Sequence, residues 1–176
     1  MASFSSKTSF NGEVFRIAGT ADGSVSMSSK YGKDGLTFEI NSRKAIDADI
    51  TGNLDAKVIG SNSADTFDFS CATGNYIVCT RGGNDRIIDG TGNNTFDGGA
   101  GQDTFVFNVV EGPDSPDEID TIVNFSLAED EIVTGGQTYT VADGATDEAI
   151  ITFDDGDQVV VRGAGVTADS IVGAIA

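Results

Sequence analysis

The sequence predicts an all-β chain: a parallel β-roll or β-solenoid with an N-terminal β cap and a C-terminal β-hairpin cap. Three observations predict it. Glycine-led turns followed by an apolar residue recur every nine residues between positions 82 and 107. The chain has 23 glycines but only 2 prolines among 176 residues, a balance that suits many tight turns better than disorder. Two apolar segments near the C-terminus, Ala149–Phe153 and Gln158–Val161, flank Asp154-Asp155-Gly156-Asp157, a short turn with glycine where positive φ is needed.

The repeat sets the architecture. Its clearest copy is Gly98-Gly99-Ala100-Gly101-Gln102-Asp103-Thr104-Phe105-Val106. The same order recurs nine residues upstream as Asp89-Gly90-Thr91-Gly92-Asn93-Asn94-Thr95-Phe96, and nine further as Gly82-Gly83-Asn84-Asp85-Arg86-Ile87, where Arg81 replaces a glycine. Nine residues are too few for a helical unit but enough for a six-residue turn and a three-residue strand. No unit can bury its own apolar residue, so Ile87, Phe96 and Phe105 have to point into a core made by stacking. Two half-turns then make a coil of about 18 residues.

Taken in order, residues 1–45 read as the N-terminal β cap. Val14-Phe15-Arg16-Ile17 is a short strand, Asp22-Gly23 and Lys33-Asp34-Gly35 are turns, and Leu36, Phe38 and Ile40 alternate with polar residues as in a half-buried strand. Residues 46–110 read as the roll. Within it Ile46, Ile50, Leu54, Val58 and Ile59, broken by Gly52 and Gly60, suit either early degraded coils or a meander of short strands. Cys71 and Cys79, the two cysteines, lie eight apart, near one repeat unit. That spacing permits a disulfide between coils, although small buried apolar residues are the favoured role. Residues 111–176 read as the C-terminal cap. It opens with a loop from Glu111 to Glu118 holding both prolines, which cannot donate into a ladder, followed by a strand from Ile119 to Phe125. Tyr139 and Val141 mark a further strand before the hairpin, and Ala168 to Ala176 ends the chain as a short helix or strand covering the stack.

Gly98 to Val106 matches the pattern GGxGxDxUx, and the chain from about residue 60 to 165 resembles the RTX (repeat-in-toxin) calcium-binding family, including the cap that follows the repeats. The resemblance implies Ca2+ held between turns stacked on the same edge, two units apart. Calcium takes six to eight oxygen ligands, and glycine-rich turns present carbonyls while their Asp adds charge. Counting from Asp103 puts Asp85 and Asp65 on one edge, with Asp47 a further 18 residues back. The other edge carries Asn94 and Tyr76, of which Asn94 still offers a neutral oxygen and Tyr76 is not expected to be a ligand. The expected metal residues are therefore Asp65, Asp85 and Asp103, closed below by Asp120, with Gly82, Asn84, Asn94, Gly99 and Gly101. Asp89 is expected to matter much less. Because any sharp turn selects Asp, Asn and Gly, a metal-free solenoid with aspartates capping turn amides stands as the alternative.

Composition narrows the function. The formal charge is −18. It is concentrated in residues 87–176, which hold 18 acidic residues against Arg162, whereas residues 1–86 hold 10 acidic and 9 basic. Such a surface repels phosphates and anionic membranes, so calcium ions, not nucleic acid or lipid, are the expected partners. With no histidine, His-dependent triads and HExxH zinc sites are excluded, and no GxSxG or P-loop is present. The chain reads as non-catalytic; paired acids acting on a polysaccharide are a remote alternative. Two readings remain: a calcium-binding structural module that folds or assembles in a calcium-rich extracellular setting, or a self-assembling component of a surface layer, adhesin or virion with few or no occupied sites. Met1 to Phe15 has no apolar run of signal-peptide length, and no stretch approaches ~18 apolar residues, so export by a leaderless, type I-like route is what the resemblance implies.

Overall fold

The computed structural model describes residues 45–52, 55–107 and 117–176, together with the backbone of strands at 14–17, 25–26 and 36–40. The expected turns at 22–23 and 33–35 lie outside the described residues, as does most of the proline-containing loop.

The described strands form two sheets of nine and six strands, and the chain crosses between them at every step up to the twelfth strand. In the larger sheet lie β1 (Val14–Ile17), β3 (Leu36–Ile40), β5 (Ala56–Ile59), β7 (Tyr76–Cys79), β9 (Thr95–Asp97) and β11 (Ile119–Val123), all parallel. In the smaller lie β2 (Val25–Ser26), β4 (Asp47–Gly52), β6 (Thr66–Ala72), β8 (Arg86–Ile88), β10 (Thr104–Val106) and β12 (Glu131–Val133), also parallel. The result is a parallel β-roll. Strands β3, β4 and β5 belong to it as coils, since β3 pairs with β5 and β4 with β6. The parallel stacks also take in β1 and β2, upstream of residue 46.

Period-two alternation explains which residues fill the space between the sheets. One buried column runs Ala48, Phe67, Ile87, Phe105 and Ile132; the facing column runs Val58, Val78, Phe96, Ile122 and Val161. Rings join the columns across the core. Phe69 lies 4.9 Å from Tyr76 and 6.4 Å from Phe96, and Phe96 lies 6.5 Å from Phe105. Each such ring contributes roughly 2–3 kcal/mol by burial. Tyr76 is therefore a core residue.

At the C-terminal end the pattern changes. Strands β14 (Glu148–Phe153) and β15 (Gln158–Arg162) form the expected antiparallel hairpin, with Gly156 at φ +109, and β13 (Tyr139–Asp143) pairs antiparallel with β14. Strand β15 runs parallel to β11, so the hairpin continues the larger sheet. The last residues form helix α1 (Ala168–Ile171), capped by Thr167, and a 3-10 turn, after which Ile175 bridges to Ile132. This covers the β12 edge, which would otherwise present unpaired amides.

The cysteines lie eight positions apart but fall on different sheets, Cys71 on β6 and Cys79 on β7. Both are free thiols; Cys71 is exposed and Cys79 half-buried, so neither is the buried apolar residue expected. The nine-residue count had carried the chain across the roll, not along one face.

Candidate metal centre

Three glycine-bearing turns stack on one edge of the roll. A Cβ on Gly101 would lie 1.8 Å from the Gly83 carbonyl oxygen, and one on Gly83 would lie 2.4 Å from the Ser63 carbonyl carbon. No side chain fits there, which is why these turns require glycine: at φ +126 and +121 the backbones approach to contact. Arg81 adopts φ 79 at the place where the next turn has Gly99 at φ 85, so the turn keeps its shape despite the substitution.

This stacking lines up the aspartates. The Asp65 N–H donates to Asp85 Oδ1 (2.7 Å), the Asp85 N–H to Asp103 Oδ1 (3.0 Å), and the Asp103 N–H to Asp130 Oδ1 (3.1 Å). Asp65 Oδ1 in turn accepts the Ile46 N–H (2.9 Å). Asp65, Asp85 and Asp103 are thus brought onto one side, but two expected neighbours are not. Ile46 holds the position counted to Asp47, which pairs with Thr66 and is exposed, because the spacing between coils here is 19, not 18. Asp130, not Asp120, continues the column below Asp103, 27 residues on, after the insertion near residue 110.

All four carboxylates are buried, at 1%, 2%, 1% and 8% exposure in chain order. Burial raises each above the usual carboxylate range, and it pushes Asp85 up to about 6, with the charges of Asp65 and Asp103 adding to the effect. Their second oxygens differ. Asp65 Oδ2 accepts the Ser61 N–H (2.7 Å) and Asp130 Oδ2 the Ser126 N–H (2.8 Å). Asp85 Oδ2 and Asp103 Oδ2 accept no hydrogen bond. A buried carboxylate oxygen without a donor is costly unless a cation meets it.

Of the other expected ligands, Gly82, Asn84, Gly99 and Gly101 lie in the same stacked turns. Gly82 bridges to Ala100, and the exposed Asn84 accepts the Gln102 N–H on Oδ1 (3.2 Å). Asn94 and Asp120 lie on the opposite edge. There the Tyr76 N–H donates to Asn94 Oδ1 (2.8 Å) and the Asn94 N–H to Asp120 Oδ1 (2.7 Å).

That opposite edge holds an acidic group which the repeat pattern did not single out. Asp89, Glu118 and Asp120 are all buried and bring one carboxylate oxygen each to within 4.8 Å of one another. Asn94 Nδ2 donates to Asp89 Oδ1 (2.9 Å), and the Gly92 N–H donates to Glu118. Beside them, with Gln137 and Asp157 in its wall, is a cavity of about 20 Å³, room for one water-sized occupant. Burial pushes Asp120 up to about 7 and, with the Asp120 charge, holds Asp89 well above its ordinary value. Asp89, expected to weigh less in calcium binding than Asp85 and Asp103, thus lies in a buried acidic group of its own. It stands where the repeat has its first glycine, a position that sequence reading assigns to backbone.

The comparison with known families bears on the same turns. Residues 80–108 match the family model of the RTX calcium-binding nonapeptide repeat (4 copies). No curated protein matches the chain. The matched segment includes the turns of Asp85 and Asp103, both bare carboxylate oxygens, and Asp89 and Asn94. Residues 80–108 are RTX calcium-binding nonapeptide repeats, built into the edges of a parallel β-roll.

Proposed function

We propose that the chain is a non-catalytic calcium-binding β-roll module that works as a structural unit in a calcium-rich extracellular setting. The observation that carries the reading is the pair of buried, unpartnered oxygens, Asp85 Oδ2 and Asp103 Oδ2, within the RTX repeats. The donor set suits a hard cation: carboxylates and turn carbonyls, all oxygen. Asp85 and Asp103 would hold Ca2+, which supplies the positive charge this edge needs. Asp89, Glu118 and Asp120 offer a second all-oxygen group on the other edge. The charge of −18 points the same way, because calcium would relieve repulsion that opposes compaction.

Weak calcium sites fill in the extracellular range of about 10⁻⁴–10⁻³ M and stay empty in the cytosol. The module would thus be rigid outside the cell, and self-assembly or docking to a structural partner would follow from that rigidity. No helix among the described residues is long and apolar enough to cross a membrane.

Thermal unfolding followed by circular dichroism, in EDTA, in magnesium and in calcium, tests the reading. An ion bound to the folded state alone at one hundred times its dissociation constant adds about 2.7 kcal/mol. For a chain of this size that is a rise of roughly 5–10 °C. Calcium should give this rise and magnesium should not; equal melting curves in all three would reject it.

A further inference from the structure

The four aspartates of the column look alike in sequence, yet they divide into two kinds. The residue four places before each Asp decides which. Before Asp65 and Asp130 stand Ser61 and Ser126, whose N–H groups cap the second carboxylate oxygen at 2.7 and 2.8 Å. Ser61 adds its hydroxyl, which donates to Asp65 Oδ1 (2.8 Å). Before Asp85 and Asp103 stand Arg81 and Gly99, both at left-handed φ (79 and 85), and the Oδ2 of each carboxylate accepts no hydrogen bond.

We infer that Asp65 and Asp130 are terminators of the ion row: their carboxylates are consumed by amide capping, and the column takes up calcium only at Asp85 and Asp103, between the turns 80–85 and 98–103. This rests on the calcium reading above and adds which turns serve it. Asp65 accepts hydrogen bonds from the Ile46 N–H, the Ser61 N–H and the Ser61 hydroxyl, so a cation there would have to displace bonds already made. Asp130 accepts from the Asp103 and Ser126 amides, one on each oxygen. At Asp85 and Asp103 a cation displaces nothing on Oδ2. The two capped turns close the row at both ends with internal donors, so the roll ends its metal-binding stretch without exposing a half-filled site.

The test is isothermal titration of the full chain with calcium chloride, comparing Asp65→Asn, Asp85→Asn, Asp103→Asn and Asp130→Asn with the unsubstituted protein. D85N and D103N should each weaken binding at least tenfold or remove one ion from the stoichiometry. D65N and D130N should leave affinity within about threefold while lowering the melting temperature in EDTA, since each surrenders a carboxylate oxygen that caps an amide. Because a capped-turn variant can fail to fold, the unsubstituted protein is also followed by carbon-13 NMR of its aspartate carboxyl groups during the titration. The Asp85 and Asp103 signals should move and those of Asp65 and Asp130 stay. Loss of affinity in D65N or D130N equal to that in D85N, or movement of all four carboxyl signals together, overturns the inference. Absence of any calcium binding by the unsubstituted protein overturns the underlying calcium reading instead.

Discussion

Asp85 gives its backbone N–H to Asp103 Oδ1 over 3.0 Å, while the other oxygen of each side chain accepts nothing. One carboxylate oxygen thus ties turn to turn, and the other stays available to a cation. Of the two readings weighed from sequence, aspartates as amide caps is seen directly on one oxygen of each, and aspartates as ligands is the proposal for the bare oxygens of Asp85 and Asp103.

The buried carboxylates fix how the calcium-free protein responds to pH. Asp85 titrates at about 6 and Asp120 at about 7 in the folded chain, against 3.8 for an ordinary aspartate. Between 3.8 and about 7 the folded state therefore holds more protons than the unfolded state, so stability falls as pH rises through that window. Melting in EDTA should show the temperature dropping from pH 5 to pH 7.5, and calcium should cancel the drop by replacing the protons. A melting temperature that climbs over this range without calcium would contradict it.

Asp89→Asn should stabilise the calcium-free protein. The substitution removes one of three carboxylates that crowd within 4.8 Å, yet keeps an oxygen to accept the Asn94 amide. A higher urea midpoint at unchanged slope is expected at pH 7.5 with EDTA. With calcium present the gain should shrink or reverse if Asp89 serves the proposed second site.

Turn stacking sets a steric limit that composition alone does not show. Gly101→Ala would place a methyl 1.8 Å from the Gly83 carbonyl oxygen at φ +126 and should cost about 3 kcal/mol, from backbone strain and displaced turns together. Gly136→Ala, at φ +85 with nothing within 4 Å, should cost only about 1 kcal/mol. Equilibrium unfolding of both variants checks the ranking.

Phe69 joins both sheets, being fully buried against Phe67, Tyr76 and Phe96. Phe69→Ala should lose about 3–5 kcal/mol through lost burial and the cavity left behind. Because Phe69 lies on β6, outside residues 80–108, calcium should still raise the melting temperature of whatever fraction folds.

How far the sequence could be read follows from where its period holds. Ile87, Phe96 and Phe105 keep the nine-residue spacing, and their place in the core, the parallel stacking and the common side of Asp85 and Asp103 could all be read from it. The count fails wherever a coil gains a residue. The coil between Ile46 and Asp65 spans 19 residues, so Ile46 displaces Asp47, and the insertion between β10 and β11 sends Asp120 to the opposite sheet and leaves Asp130 to complete the column. Asp89 was hidden because it occupies a glycine position of the repeat. The capping by Ser61 and Ser126 depends on backbone direction in each turn, which residue type alone does not specify.

The most direct measurement is diffraction from crystals grown with millimolar calcium, using the anomalous signal of the ion. The account requires a calcium peak at about 2.3–2.6 Å from Asp85 Oδ2 or Asp103 Oδ2, between the turns 80–85 and 98–103. Ordered turns with no ion against either oxygen, in crystals saturated with calcium, would contradict it.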